Sequence, residues 1–131
     1  MFVKENWKII YYEDVIGNSE VFDFLDTQKL KSKAKIFSWL SVLEEKGPLL
    51  PRPYADLLKD GVHELRIKLT GNQVRILYFF CYKDFIVLTN CFNKNTDKVP
   101  EKEIIKAKKC REDFLNRNSE KSLKEEFNEN L

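Results

Sequence analysis

GVHELRIKLTGNQVRILYFFCYKDFIVLTNCFN, residues 61–93, decides the fold of this chain. Three apolar-rich runs are separated by two reversal signals, Gly71-Asn72 and Lys83-Asp84. In the first run Leu65, Ile67 and Leu69 alternate with Glu64, Arg66 and Lys68. In the second, Val74, Ile76, Tyr78 and Phe80 alternate with Arg75, Leu77 and Phe79. A period of two marks a strand with one buried face, and Gly-Asn supplies the backbone freedom of a tight hairpin turn. The third run, residues 85–92, is apolar on both faces, as suits a central strand. The stretch predicts a three-stranded antiparallel meander with Arg66, Lys68 and Arg75 on one face. Three cations there contribute little to a fold and suit an anionic ligand well.

Upstream, WKIIYY at residues 7–12 is aromatic and β-branched, which reads as an edge or flanking strand closed by the Gly17-Asn18 turn. Ser19 can cap a helix running to about Leu25, with Glu20 and Asp23 near its positive end. Residues 30–46 form the clearest helix, with Ile36, Phe37, Leu40 and Leu43 on one stripe. Lys29, Lys31, Lys33 and Lys35 crowd its start and oppose the helix dipole, so packing must outweigh them or they must have a partner. Gly47-Pro48 ends this helix. Pro48, Pro51 and Pro53 lack backbone donors, and residues 49–60 therefore read as an ordered loop from which Arg52 and Tyr54 project.

Downstream, a polar loop leads to Pro100 as the first residue of a helix, with Val99 as a poor N-cap. Ile104, Ala107, Cys110 and Phe114 make its apolar stripe, and Lys102, Lys106, Lys108 and Lys109 lie elsewhere on its surface. Leu123, Phe127 and Leu131 are spaced by four, as in a short amphipathic helix that needs a partner. Residues 1–131 read as a single domain, with 119–131 a flexible or partner-dependent tail.

The composition, 43% hydrophobic and 34% charged, is that of an ordinary soluble domain of 131 residues. No apolar run reaches the ~20 residues of a membrane span, and no signal-peptide pattern opens the chain, so a cytoplasmic protein without membrane association is expected. The three cysteines lack CxxC spacing and are expected as buried, reduced thiols. With one histidine, no metal site or cofactor is expected. Residues 62–118 carry twelve Lys or Arg against seven Asp or Glu, and the rest of the chain eleven against fourteen. Such gathering of positive charge fits either a polyanionic partner or a solvated helix face.

Gly-rich phosphate loops, GxSxG and HExxH are missing, and a lone His63 cannot form the histidine pair of many nucleases. His63 is expected as an exposed polar residue, and Glu64, Asp84 and Asp97 as groups that solvate turns or pair with lysines. What remains is the cluster Arg66, Lys68 and Arg75, with Lys94 leaving the third strand nearby. Arginine offers phosphate a bidentate fork and lysine a movable charge. Such groups suffice for RNA cleavage if the neighbouring 2′-hydroxyl attacks, because charge neutralisation and positioning carry much of phosphoryl transfer.

The runs GPLLPRPYADLLKDGVHELRIKLTGNQVRILYFF (47–80) and LTNCFNKNTDKVPEKEIIKAKKCREDF (88–114) together resemble the HigB-like toxins of the RelE superfamily, in a branch related to a phage protein family. The resemblance implies an α+β, RelE-like microbial-RNase-like fold. It would have a small antiparallel sheet of about four strands, two N-terminal helices and one C-terminal helix. It also implies a type II toxin acting as a ribosome-dependent, metal-independent mRNA endonuclease. Its partners would be a HigA-like helix-turn-helix antitoxin, the ribosome and mRNA, with operator DNA bound only through the antitoxin. By position, Arg66, Arg75 and Lys94 match the catalytic residues. Lys68 matches a further basic position, and Lys98, Lys102, Lys106 and Tyr54 are expected to hold RNA, with His63 and Tyr78 as further candidates. Asn95 stands where a second lysine is common, Val99 where a capping threonine is, and Val74 where a tyrosine is. Two other readings are a non-catalytic topoisomerase poison of the ParE type and an inactive partner-binding remnant.

Overall fold

The computed structural model describes residues 6–94 and 98–128. Five strands form one mixed sheet in the order β1-β5-β4-β3-β2. They are β1 (Lys8–Tyr11), β2 (Ala55–Lys59), β3 (Val62–Leu69), β4 (Asn72–Cys81) and β5 (Phe85–Asn93). Four helices accompany them: α1 (Glu20–Asp26), α2 (Leu30–Lys46), α3 (Glu101–Arg117) and α4 (Glu120–Asn128). The architecture is α+β and broadly compatible with a microbial-RNase-like fold.

The meander forms with the expected turns, β3 pairing antiparallel with β4 and β4 with β5. Register slips between Leu77 and Tyr78, where Thr89 is an extra residue in β5. The Thr89 hydroxyl returns to the ladder by donating to the Leu77 carbonyl at 3.2 Å. β5 is interior, but β4 is the middle strand of the sheet.

Two sheet expectations are corrected. Residues 49–60 are not all loop: the last proline is Pro53, and from Ala55 onward the backbone donors are intact, so β2 pairs antiparallel with β3. This makes five strands where about four were expected. The sheet is also mixed and not purely antiparallel, because β1 pairs parallel with β5, Lys8 opposite Phe85. Parallel pairing needs a long crossover. Here α1, α2 and the meander separate the two strands in sequence.

Alternation sorts the core onto two faces. Val21 and Leu25 of α1 and Ile36, Leu40 and Leu43 of α2 pack with Leu65, Ile67, Val74, Ile76, Ile86 and Leu88. On the other face Ile104 and Ala107 of α3 meet Val62 and Leu77, and Phe114 meets Phe79 and Phe85. Where a single C-terminal helix was expected, there are two. Leu123 of α4 is buried in the Phe79–Phe85–Phe114 cluster, and the Phe127 ring lies 5.2 Å from that of Phe85.

Local signals mostly act as expected. Ser19 Oγ accepts from the Phe22 amide at the start of α1. Gly47 ends α2 at φ 52°, with the Trp7 indole occupying the space a Cβ would need. α3 starts one residue later than expected, with Pro100 at the cap position, and Val99 is buried beside Leu77 and Ile104. Cys81 and Cys91 are buried and Cys110 half-buried, all as free thiols. Burial pushes the Cys81 thiol up to about 11.

Candidate functional site

The hairpin register brings the arginines together. Arg66 stands directly opposite Arg75, and Lys68 opposite Gln73. Like charges facing each other across a ladder repel. Glu64, two residues before Arg66 and so on the same face, resolves that repulsion. Arg66 Nε donates to Glu64 Oε1 at 2.8 Å, and Arg75 Nε lies 3.3 Å from Glu64 Oε2. The second contact is an ion pair without hydrogen-bond alignment; Glu64 Oε2 and Arg75 Nε have no hydrogen-bond partner among the described residues. Glu64 is fully buried, which corrects its expected role as a solvated turn residue. A buried carboxylate requires paired charges, and the two guanidiniums provide them.

The arginines differ in exposure. The Arg66 side chain is 30% exposed and also donates from Nη2 to Asp56 Oδ2 at 3.4 Å. Asp56 in turn accepts from Arg52 Nε at 2.9 Å, and that pairing holds its carboxyl below the usual carboxylate range. Arg75 is only 6% exposed, with Nη2 donating to Gln73 Oε1 at 3.2 Å. Desolvation pulls its pKa down, opposed by Glu64.

Beside this pair lies a cleft of about 410 Å3. β3 lines it with Arg66 and Lys68, β4 with Gln73 and Arg75, α2 with Lys35 and Trp39, and the loop before β2 with Pro53 and Tyr54. The Arg66 amide donates to the Tyr54 carbonyl at 2.8 Å, which ties that loop to β3. Tyr54 then stacks on Trp39, ring centroids 5.0 Å apart and planes inclined by 26°. The cleft thus combines two aromatic rings with four cationic side chains, a chemistry suited to a phosphate bearing a flat ring.

Of the sequence candidates, Arg66, Lys68, Arg75 and Tyr54 line this cleft, and the others do not. Lys94 follows β5, its amide donating to the Gln73 carbonyl at 2.8 Å, so its backbone is anchored one residue from the start of β4. Lys98 and Lys102 are exposed at the approach to α3 and in its first turn. Lys106 pairs with Glu20 at 2.9 Å and Glu103 at 3.4 Å and serves to fasten α3 to α1. His63 is half-buried, not exposed as expected, and stacks on buried Tyr78 with ring centroids 5.4 Å apart. The alternation directs both away from the arginine face. Asn95 lies outside the described residues, and Val74 is wholly buried in the core.

Sequence reasoning missed Lys35, Trp39, Gln73 and Glu64 as parts of the site. Glu64 had a signal, its i−2 spacing from Arg66 on a strand. Lys35 and Trp39 share a helix face by their i, i+4 spacing, but only the fold of the 47–54 loop brings Tyr54 to them.

Residues 23–112 match the profile of the family described as phage-derived protein Gp49-like. That span covers the meander, α2 and most of α3. The chain belongs to the Gp49-like family. This family belongs to the RelE/ParE-like toxin superfamily and is associated with toxin-antitoxin toxins of the RelE type. Membership of a Gp49-like toxin family implies an antitoxin partner. No curated protein matches the chain. Among the described residues no helix is long and apolar enough to cross a membrane.

Proposed function

We propose that this Gp49-like chain is the toxin of a type II pair and an endoribonuclease that cuts mRNA on the ribosome. The convergence of Arg66, Lys68, Lys35 and Arg75 on one cleft with an aromatic wall carries the reading. Cleavage proceeds by attack of the 2′-oxygen on the adjacent phosphorus. The 2′-hydroxyl loses its proton, the bond to the 5′-oxygen breaks, and that oxygen gains a proton as it leaves, yielding a 2′,3′-cyclic phosphate. Arg66 meets the non-bridging oxygens as their charge grows, and Arg75, braced by Glu64 and Gln73, adds fixed positive potential beneath them. Lys68 supplies a mobile cation for the proton transfers, Lys94 just after β5 adds positive charge outside the cleft, and a helix-turn-helix antitoxin of the HigA-like kind neutralises the pair's toxin.

Inducible expression with mapping of mRNA 5′ ends tests this. Cuts confined to translated frames are expected, together with growth arrest. Arrest with intact mRNA would overturn the nuclease and favour a binding module of the ParE type. One observation favours that second reading: both arginines are already engaged by carboxylates or by Gln73 within the chain.

A further inference from the structure

We infer that Trp39 and Tyr54 form a platform for one nucleobase, so that the cleft seats a single nucleotide with its phosphate on Arg66 and Lys68. The inference rests on the reading that the cleft binds RNA, and it adds where the base goes.

Four observations converge. The cleft, at about 410 Å3, falls within the ~300–1,000 Å3 of small-ligand pockets. Its lining is of two chemical kinds: Lys35, Arg66, Lys68 and Arg75 supply charge, while Trp39, Tyr54 and Pro53 supply flat or apolar surface. Tyr54 is 43% exposed although it stacks on Trp39, so the aromatic pair is pre-ordered and keeps accessible surface. Arg75, nearly buried, lines the same cleft and is braced there by Glu64 and Gln73.

A phosphate alone would not need the aromatic wall, and a wholly apolar ligand would leave the cationic side chains of the cleft unused. A nucleotide uses both kinds of surface. Base–aromatic stacking tolerates any base, since every base has a π-face, so this seat fixes position along the strand and not sequence. The rings are rigid in advance because the Arg66 amide holds the Tyr54 carbonyl and Trp39 projects from a seventeen-residue helix. Little ordering entropy is then lost on binding.

The test is titration of full-length wild type, Trp39→Ala and Trp39→Phe with a short single-stranded RNA. Its sugars are 2′-O-methylated, so that it binds without being cut. A second oligonucleotide of equal length carries abasic residues throughout. Trp39→Ala is expected to weaken binding of the base-bearing strand by about 10- to 100-fold, from the usual worth of one stacked base. Binding of the abasic strand should be unchanged, and Trp39→Phe should retain most of the affinity. Equal loss for both strands, or no loss for either, overturns the platform. So does Trp39-dependent binding of an acidic peptide by a protein that ignores RNA. Failure of the nuclease reading looks different: uncapped cellular mRNA stays intact while the Trp39-dependent preference for bases persists.

Discussion

Glu64 and Arg75 face each other with Oε2 and Nε 3.3 Å apart, both inside the protein and both without a hydrogen bond at those atoms among the described residues. A carboxylate at that depth is tolerable only while guanidinium charge surrounds it, and Arg66 completes the enclosure from the carboxylate's own strand.

Replacing Glu64 by Gln keeps the shape and removes the charge, leaving Arg66 and Arg75 opposed across the ladder. The loss of one member of a buried charge cluster typically costs about 3–5 kcal/mol. A fall of that order in the unfolding free energy, read from urea titration, is expected for Glu64→Gln. Adding Arg75→Met to it should recover part of the loss, because the buried cation then disappears too.

The unequal exposure of the arginines separates catalysis from folding. Arg66→Ala removes a partly exposed side chain and is expected to cut RNA cleavage by about 10²–10³-fold. Its thermal midpoint should fall by less than that of Arg75→Ala, which empties a buried position and strands Glu64 Oε2. Thermal unfolding beside single-turnover cleavage of the two variants checks the contrast. Equal midpoints would place Arg75 at the surface.

His63 gives stability a dependence on pH. Desolvation lowers its pKa below the ordinary 6.5, only partly opposed by Asp56, so the folded chain holds the neutral ring. The unfolded chain binds a proton near pH 6.5 while the folded one does not, and stability therefore falls as pH drops below that value. The fall continues until the folded imidazole itself titrates. Urea midpoints measured from pH 8 to 5.5 should decline for the wild type, and less steeply for His63→Asn.

Leu123 is 3% exposed, packed by α4 onto the cluster that holds Phe114. Leu123→Ala is expected to cost about 2–5 kcal/mol, the usual range for a buried leucine. Thermal unfolding of the isolated chain checks this; an unchanged midpoint would mean that α4 contributes nothing without a partner.

The meander was legible because its residues obey one rule throughout: Leu65, Ile67, Val74 and Ile76 alternate with charged neighbours, and Gly71-Asn72 turns the chain. β2 was hidden by its prolines, which govern residues 48–53 but say nothing of the intact donors from Ala55. The direction of β1 was hidden because an apolar hexamer fits either edge and either orientation; only the path of α1 and α2 decides. At the site, Arg66, Lys68 and Arg75 followed from strand period. Glu64 obeys the same period, but an acid near a strand end reads equally as a solvated group. Trp39 and Lys35 sit on a helix distant in sequence from β3, and no local pattern announces that Tyr54 will stack there.

The parallel pairing of β1 with β5 has a consequence for synthesis. Lys8 cannot meet Phe85 until 77 further residues have been added, roughly 4–15 s at the ~5–20 residues per second of translation. The β3–β4 hairpin bearing Arg66 and Arg75 closes over a short loop and is complete at Cys81, four residues or about 0.2–0.8 s before Phe85 is added. During biosynthesis the cationic hairpin therefore precedes the completed sheet. A nascent chain caught in that interval would present Arg66 and Arg75 while β1 still waits for its neighbour.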